Sequence, residues 1–129
     1  MKFRIAIIGL AFLATTACIK SQTEGVTLSN TVTFEQKLND DGVQLIDVRT
    51  AEEFNSGHLA NAKNIDIKLD DFEQKIAALD KTKPVMVYCK SGGRSGRAAT
   101  KLKELGFTTI VDLDGGITDW KAEGKPVEN

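Results

Sequence analysis

Apolar runs with few charges recur along the chain and predict its strands. They cover residues 43–48, 85–88 and 108–113, and a shorter run within 62–67 centres on Asn64-Ile65. Uninterrupted apolar runs of this length, bounded by turn residues, are typical of strands buried on both faces of a sheet. The pattern therefore predicts four strands.

Helix signals lie between these strands. Thr33 with Gln36, and Thr50 with Glu53, have the spacing of capping boxes, in which two side chains satisfy the free N–H groups of a first helical turn. Apolar residues at helical spacing, and glycines that end helices, mark the others. The predicted helices cover 33–39 before Gly42, 50 to about 57, 69–79, 95–105 before Gly106, and a short last segment with Trp120.

The alternation of strands and helices predicts the fold class. Such alternation favours an α/β domain, with a mostly parallel sheet flanked by helices on both faces. The chain has 129 residues, enough for one domain of ordinary size. We find no repeat and no second domain, and we place a single domain at residues 31–127.

The first 30 residues have a different composition. Residues 1–4 are basic, 5–13 are apolar but too short to span a bilayer, and small residues then precede Cys18. This resembles a bacterial lipoprotein signal, although Thr15 stands where leucine is usual. We therefore expect a signal peptide at 1–17, and a lipidated Cys18 with a tether at 18–30. Ordinary secretory cleavage and an uncleaved anchor are the alternatives; each places the domain outside the cytoplasm, and the first interpretation anchors it on the periplasmic side of the envelope.

Charge narrows the classes of partner. Removal of residues 1–17 would remove Lys2 and Arg4 and no acid, which leaves 15 basic residues against 18 acidic ones. A mildly acidic domain gives no indication of nucleic-acid binding, and any affinity for anions must be local to a site.

The segment after the strand at 85–88 carries the candidate chemistry. Cys89 lies at the carboxyl end of that strand, where open parallel sheets bind ligands. Gly92 and Gly93 allow the chain to curve so that backbone N–H groups point at the sulfur. The helix predicted from Ser95 adds its positive end, and Lys90 and Arg94 add full charges. All these effects favour a thiolate nucleophile beside a small anion-binding loop.

Several motifs in order identify a family. They are Leu45-Ile46-Asp47-Val48-Arg49-Thr50, Glu53-Phe54, Gly57-His58-Leu59-Ala60-Asn61-Ala62-Lys63-Asn64-Ile65, Tyr88-Cys89 through Ser95, Leu113-Asp114-Gly115-Gly116-Ile117, and Trp120. The sequence resembles the single-domain rhodanese sulfurtransferases over about residues 31–127. A lone Cys-x-x-x-x-Arg would be weak, but the ordered set is specific.

The resemblance implies sulfur transfer in two steps. Cys89 would take the outer sulfur of a donor such as thiosulfate as a persulfide and pass it to a nucleophile such as cyanide or a thiol, with a thioredoxin-like protein as one candidate acceptor. The site would comprise Cys89 as nucleophile and the loop residues Lys90, Ser91, Gly92, Gly93, Arg94 and Ser95 as the substrate-binding group. The basic loop favours thiosulfate over 3-mercaptopyruvate. We expect no cofactor, no metal and a monomer.

Other interpretations of Cys89 remain open. Cysteine phosphatases use a similar loop with one more residue before the arginine, and a free cysteine can be simply a buried thiol. A different class of function is a sulfur carrier or redox interaction module that receives sulfur from a partner without turnover of its own.

The remaining polar residues are interpreted as structural. Asp47 and Arg49 follow a strand and are expected to pair and support the site. The resemblance places His58 in a structural turn away from the nucleophile. Trp120 is expected in the core, and Ser95 is expected to cap a helix. The acidic pairs Asp40-Asp41 and Asp70-Asp71 show no metal-ligand pattern.

Overall fold

A parallel sheet organises the chain in the computed structural model, which describes residues 24–129. The strands of this described part are β1 (Val26–Ser29), β2 (Gln44–Asp47), β3 (Lys63–Asn64), β4 (Val85–Tyr88) and β5 (Ile110–Leu113). They lie in the order β1-β5-β4-β2-β3, and every pairing is parallel. The predicted signal peptide, the lipidation of Cys18 and most of the predicted tether lie outside the described residues.

Helices connect these strands and cover both faces of the sheet. Their bounds are α1 (Thr31–Lys37), α2 (Ala51–Asn55), α3 (Phe72–Ala77), α4 (Gly93–Glu104) and α5 (Gly116–Ala122). Because the strands are parallel, their carboxyl ends meet at one edge of the sheet, and the loops that follow β2, β4 and β5 lie side by side there. The α/β fold with a parallel sheet is confirmed.

The central strand β4 shows how the core divides into two layers. Its side chains alternate, so that Val85, Val87 and Cys89 face α3 and α4, while Met86 and Tyr88 face α1 and α5. All five are at most 1 % exposed. Trp120 packs in the second layer, as predicted. Burial on both faces explains why the strand has no charged residue, and Cys89 follows directly at its carboxyl end.

One strand was missed at the start of the domain. Val26–Ser29, assigned to the tether by the sequence, forms β1 and pairs with β5 from Val26↔Ile110 to Ser29↔Leu113. As an edge strand it has a single neighbour, and only Ser29 of its four residues is buried; Val26 and Leu28 are partly buried and Thr27 is exposed. Such a segment lacks the continuous apolar run on which the other strands were recognised. The domain therefore begins before residue 31.

The predicted capping boxes have opposite outcomes. Thr50 and Glu53 form a capping box at the start of α2, as predicted. The box of Thr33 and Gln36 is wrong, because α1 begins two residues earlier. Asn30 is its N-cap, and the Asn30 side chain accepts a hydrogen bond from the Thr33 N–H at 2.9 Å. An asparagine satisfies the free N–H groups as well as a threonine does.

Two other helix limits differ from the prediction. α3 is shorter than 69–79, and Leu69, predicted on its buried face, is 54 % exposed. α4 begins at Gly93 with Gly92 as its N-cap, so Ser95 lies inside the helix and does not cap it. The stop at Gly106 is confirmed, with a φ of 97° that favours glycine. Among residues 24–129, no helix is both long and apolar enough to cross a membrane.

Candidate active site

The sulfur of Cys89 lies directly after β4, at the carboxyl edge of the sheet. The residue is 1 % exposed and is the one cysteine of the described chain, with a free thiol. Lys90, Ser91 and Gly93 follow it as exposed residues, whereas Ser95 turns back into the protein and is fully buried. The predicted loop therefore begins with exposed polar residues next to Cys89 and ends at a buried serine.

Two loop residues contact the sulfur directly. The Gly92 N–H donates a hydrogen bond to Cys89 Sγ over 3.1 Å. The thiol in turn donates to Ser95 Oγ at 3.4 Å, and the Ser95 hydroxyl donates to the Gly92 carbonyl at 3.2 Å. Gly92 has a φ of 121°, a conformation that side chains disfavour, and this turns its N–H toward the sulfur.

These contacts lower the pKa of the Cys89 thiol below its usual value. Burial alone would raise that pKa, because a charged thiolate is poorly solvated inside the protein. The thiolate can no longer donate to Ser95, so the Ser95 hydroxyl donates to the sulfur instead; this hydrogen bond and those from the backbone of Ser95, Gly92 and Ser91 outweigh the effect of burial. The loop thus favours the thiolate, which is the nucleophilic form.

The start of α5 fixes the backbone on which the loop is built. The Ile117 N–H donates to the Cys89 carbonyl at 2.9 Å, and the Thr118 N–H donates to the Lys90 carbonyl at 3.1 Å. A Cβ atom at Gly116 would lie 2.6 Å from the Cys89 oxygen and 2.5 Å from the Lys90 oxygen. Glycine is therefore required at 116 for this close approach.

Arg94 forms an ion pair with a carboxylate of α2. Its Nη1 and Nη2 atoms lie 2.7 and 2.9 Å from the two carboxylate oxygens of Glu53. This two-point contact, which outweighs partial burial, lowers the pKa of Glu53 to about 2. Glu53 is ionised at neutral pH, so the charge of Arg94 is largely compensated and Lys90 is the loop cation that faces solvent.

Asp47 and Arg49 form the support that the sequence predicted. Arg49 Nη2 lies 2.7 Å from Asp47 Oδ2 and also donates to the Gly57 carbonyl at 2.6 Å. Both residues are at most 3 % exposed. Asn64 Nδ2 donates to the carbonyls of Asp47 and Arg49, so the turn after β2 is tied to β3. The pairing is confirmed, and these contacts tie the turn beside the Cys89 loop to its neighbours.

Comparison with known proteins identifies the family. Residues 31–123 match the family model of the rhodanese-like domain. The chain belongs to the rhodanese family. The predicted resemblance is thereby confirmed, and the motifs that carried it lie around one site.

Relatives of this rhodanese include named sulfurtransferases. It is 38 % identical over 88 residues to thiosulfate sulfurtransferase GlpE of Pseudomonas savastanoi, a match that covers 67 % of this chain and 80 % of the relative. Another relative, the uncharacterized protein YqhL of Bacillus subtilis, is 44 % identical over 77 residues, and that match spans 60 % of each chain. A rhodanese-related protein from Thermoplasma volcanium superposes with a TM-score of 0.70 at 33 % identity, covering 79 % of this chain and 97 % of the other. Family and relatives together support a sulfurtransferase.

His58 of the rhodanese domain lies in a structural turn. Its ring stacks on Phe54 with the ring centroids 3.9 Å apart, and its Nδ1 contacts the Phe54 carbonyl at 3.1 Å. Its backbone pairs with Glu128 of the C-terminal segment. These contacts agree with the structural role expected from the sequence.

Asp112 is a residue near the loop that the sequence analysis missed. It lies in β5, is 4 % exposed, and its Oδ1 has no hydrogen-bond partner. Burial raises the pKa of its carboxyl to about 6, although the nearby Ser95 hydroxyl acts in the opposite direction. One signal of this buried carboxyl is present in the sequence, an acidic residue inside the strand run at 108–113.

Glu53 was also missed as a site residue, because its capping box with Thr50 already explained it. Its second role joins residues 41 positions apart, which no local pattern reports. Within residues 24–129, no group of three or more His, Cys, Asp and Glu side chains is placed to hold a metal ion.

Proposed function

We propose that this rhodanese moves sulfane sulfur from thiosulfate to a nucleophilic acceptor through a persulfide on Cys89. One observation carries the proposal: the Cys89 thiol, held by the Gly92 N–H at 3.1 Å, has a lowered pKa despite its burial. A thiolate inside a ring of N–H donors suits a reaction in which negative charge stays on sulfur.

In the first step the Cys89 thiolate attacks the outer sulfur of thiosulfate. A bond forms between Sγ and that sulfur, and the sulfur–sulfur bond of thiosulfate breaks, with its electron pair leaving on sulfite. The product is a persulfide, and no external oxidant or reductant is needed. The N–H groups of Ser91, Gly92 and Ser95, which favour the thiolate, are placed to stabilise the terminal sulfur of the persulfide as well.

In the second step the acceptor attacks the terminal sulfur. The bond between that sulfur and Sγ breaks, and the electron pair returns to Cys89 as thiolate. Cyanide would leave as thiocyanate, and a thiol would leave as its persulfide. Since the described chain has no second cysteine to resolve the persulfide, discharge to another molecule, such as the thiol of a thioredoxin-like protein, is required.

The charges at the mouth of the loop support an anionic donor. Lys90 is exposed next to the nucleophile and has no ion-pair partner among residues 24–129. Arg94 already forms an ion pair with Glu53. It would orient thiosulfate only if it divided its hydrogen bonds between the Glu53 carboxylate and the substrate. Lys90 is therefore the principal cation available to thiosulfate.

A turnover assay tests this function. The purified domain is given thiosulfate and cyanide, and thiocyanate is measured for the wild type and for Cys89→Ser. We expect turnover by the wild type and none by Cys89→Ser. Wild-type turnover no higher than that of Cys89→Ser would overturn the proposal.

We further propose that the protein is exported and carried on a bacterial envelope membrane by lipid on Cys18. The support is the order of basic, apolar and small residues before that cysteine. Metabolic labelling with a palmitate analogue is the test. Label should be lost in Cys18→Ala and kept in Cys89→Ser, and label retained by Cys18→Ala would contradict lipidation at this position.

A further inference from the structure

A cavity of about 220 Å³ lies beside the catalytic loop and has no role in the steps above. The turn after β2, the end of α2, the loop and α5 form its walls. Its lining residues are Arg49, Glu53, Ser56, Lys90, Ile117, Thr118 and Lys121. The loop and the cavity share Lys90, and Glu53 on the cavity wall holds Arg94 of the loop.

The charges of the cavity do not cancel. Arg49 at its base is paired with Asp47, and Glu53 is paired with Arg94. Lys90 and Lys121 remain, and neither has an ion-pair or hydrogen-bond partner within residues 24–129. Two ammonium groups at one concave surface, with the only carboxylate already engaged, favour an anion.

The size and the chemistry of the walls indicate an organic ligand. The volume equals roughly seven water molecules at ~30 Å³ each, more than an inorganic dianion fills, and it is smaller than the ~300–1,000 Å³ of pockets for drug-sized molecules. Ile117 is 3 % exposed, so the carbon chains of Lys90 and Lys121 supply most of the apolar wall, while Ser56 and Thr118 offer hydroxyl groups. A short carbon chain that ends in a carboxylate matches these walls.

We propose that this cavity binds a small anionic thiol as the sulfur acceptor, with Lys121 contacting its carboxylate. The inference rests on the proposed function, because it assigns the acceptor of the same persulfide. The acceptor thiolate attacks the terminal sulfur of the Cys89 persulfide; a new sulfur–sulfur bond forms on the acceptor, and the bond to Sγ breaks with its electron pair on Sγ. The persulfide is the anion that the first step leaves, so thiolate and persulfide anion give the Cys89 thiolate and the persulfide anion of the acceptor, and atoms and charges balance.

The experiment separates loading of the persulfide from its discharge. The domain is loaded with inorganic polysulfide or with thiosulfate, excess donor is removed, and the persulfide is counted by intact mass. Its decay is then followed with 3-mercaptopropionate or with 2-mercaptoethanol, at matched thiolate concentrations. The first acceptor carries a carboxylate and the second is neutral, so their rate ratio reports recognition of charge.

We expect the wild type to prefer 3-mercaptopropionate. Lys121→Gln should lower the rate with that acceptor about fivefold, the usual size of an exposed charge contact, and leave 2-mercaptoethanol unchanged. Lys121→Arg should keep the preference, and higher salt should reduce it. Lys103→Gln, which removes a lysine of α4 outside this cavity, is the matched control and should behave as wild type.

The outcomes distinguish the two proposals. A persulfide that forms with polysulfide but not with thiosulfate contradicts the proposed donor and leaves the acceptor experiment intact. A loaded protein that shows no preference for the anionic thiol, or a Lys121→Gln effect equal for both acceptors, overturns the acceptor proposal alone. Failure to load from either donor overturns both.

Discussion

Arg94 and Glu53 form a two-point ion pair at the mouth of the catalytic loop, with contacts of 2.7 and 2.9 Å. The pair joins the first turn of α4 to the capping box of α2, because Glu53 also contacts Thr50. Arg94, whose motif suggests substrate binding, is thus also a link between the two helices α2 and α4.

Glu53→Gln should destabilise the protein by about 1 kcal/mol at pH 7, a value reduced for the partial exposure of the pair. The pKa of Glu53 is lowered to about 2. The stabilisation that the ionised Glu53 carboxylate gives to the folded state is therefore complete above the pKa of the unfolded chain, and it is lost as the pH falls toward about 2.

Urea unfolding of wild type and Glu53→Gln at pH 7 and pH 3 measures this effect. The difference should shrink at pH 3, and Glu52→Gln, on the same helix and without an ion pair, should change little at either pH. Equal stability of Glu53→Gln and the wild type at pH 7 would contradict the role of the pair.

Ser95→Ala should raise the pKa of the Cys89 thiol. The Ser95 hydroxyl is the strongest of the groups that lower it, after the opposing effect of burial. A lost hydrogen bond to a charged sulfur should slow alkylation at neutral pH roughly tenfold.

The pH dependence of iodoacetamide alkylation, followed by mass, is the measurement. Ser91→Ala is the control, since it removes a hydroxyl from the same loop but keeps the backbone N–H. If both variants titrated as the wild type does, the Ser95 hydroxyl would have no part in stabilising the thiolate.

Gly116→Ala should disrupt the loop. Its Cβ would lie 2.6 Å or less from two backbone oxygens, of Cys89 and Lys90, at a φ of 58°. Backbone atoms cannot move aside as a side chain does. We therefore expect the free energy of unfolding to fall by about 2–4 kcal/mol and the alkylation of Cys89 to become slower.

Gly106→Ala gives the comparison for Gly116→Ala. That site also has a positive φ, but no atom lies within 4 Å of the added Cβ. In thermal unfolding, Gly106→Ala should lose less stability than Gly116→Ala, about 1–2 kcal/mol, and its Cys89 should be alkylated at the wild-type rate. Similar effects of the two variants would mean that the close approach at Gly116 is unimportant.

Asp112→Asn should stabilise the protein above pH 6. Burial raises the pKa of Asp112 to about 6, so the folded state holds its proton more tightly than the unfolded chain does. The ionised form therefore costs up to about 3 kcal/mol above pH 6, and this cost disappears as the pH falls toward 4.

Unfolding of wild type and Asp112→Asn at about pH 7.5 and about pH 4 tests the sign of this effect. The variant should be the more stable protein at the higher pH only, and the exposed Asp70→Asn should be neutral at both. A variant less stable than the wild type at the higher pH would contradict the account.

Local features of the sequence predicted much of this site. The Cys89 loop is contiguous, so its glycines and its place after a buried strand suffice to predict a ring of N–H donors. Asp47 and Arg49 are two residues apart, and their pairing follows from that spacing. The capping box of α2 is local in the same way.

Long-range features were not predictable in this way. The Arg94–Glu53 pair depends on how α2 and α4 pack together. The hydrogen bond from α5 to the Cys89 carbonyl depends on the order of the strands. β1 was missed because an edge strand needs little hydrophobicity. Each of these features is fixed by tertiary packing and leaves a weak trace in the sequence.

The most direct test of the account is the mass of the protein after incubation with thiosulfate. The wild type should gain one sulfur atom, and addition of cyanide or a thiol should remove it with release of thiocyanate or a persulfide. Cys89→Ser should gain nothing. Gain without discharge would favour the sulfur-carrier function, whereas no gain in the wild type, or an equal gain in Cys89→Ser, would contradict a persulfide on Cys89.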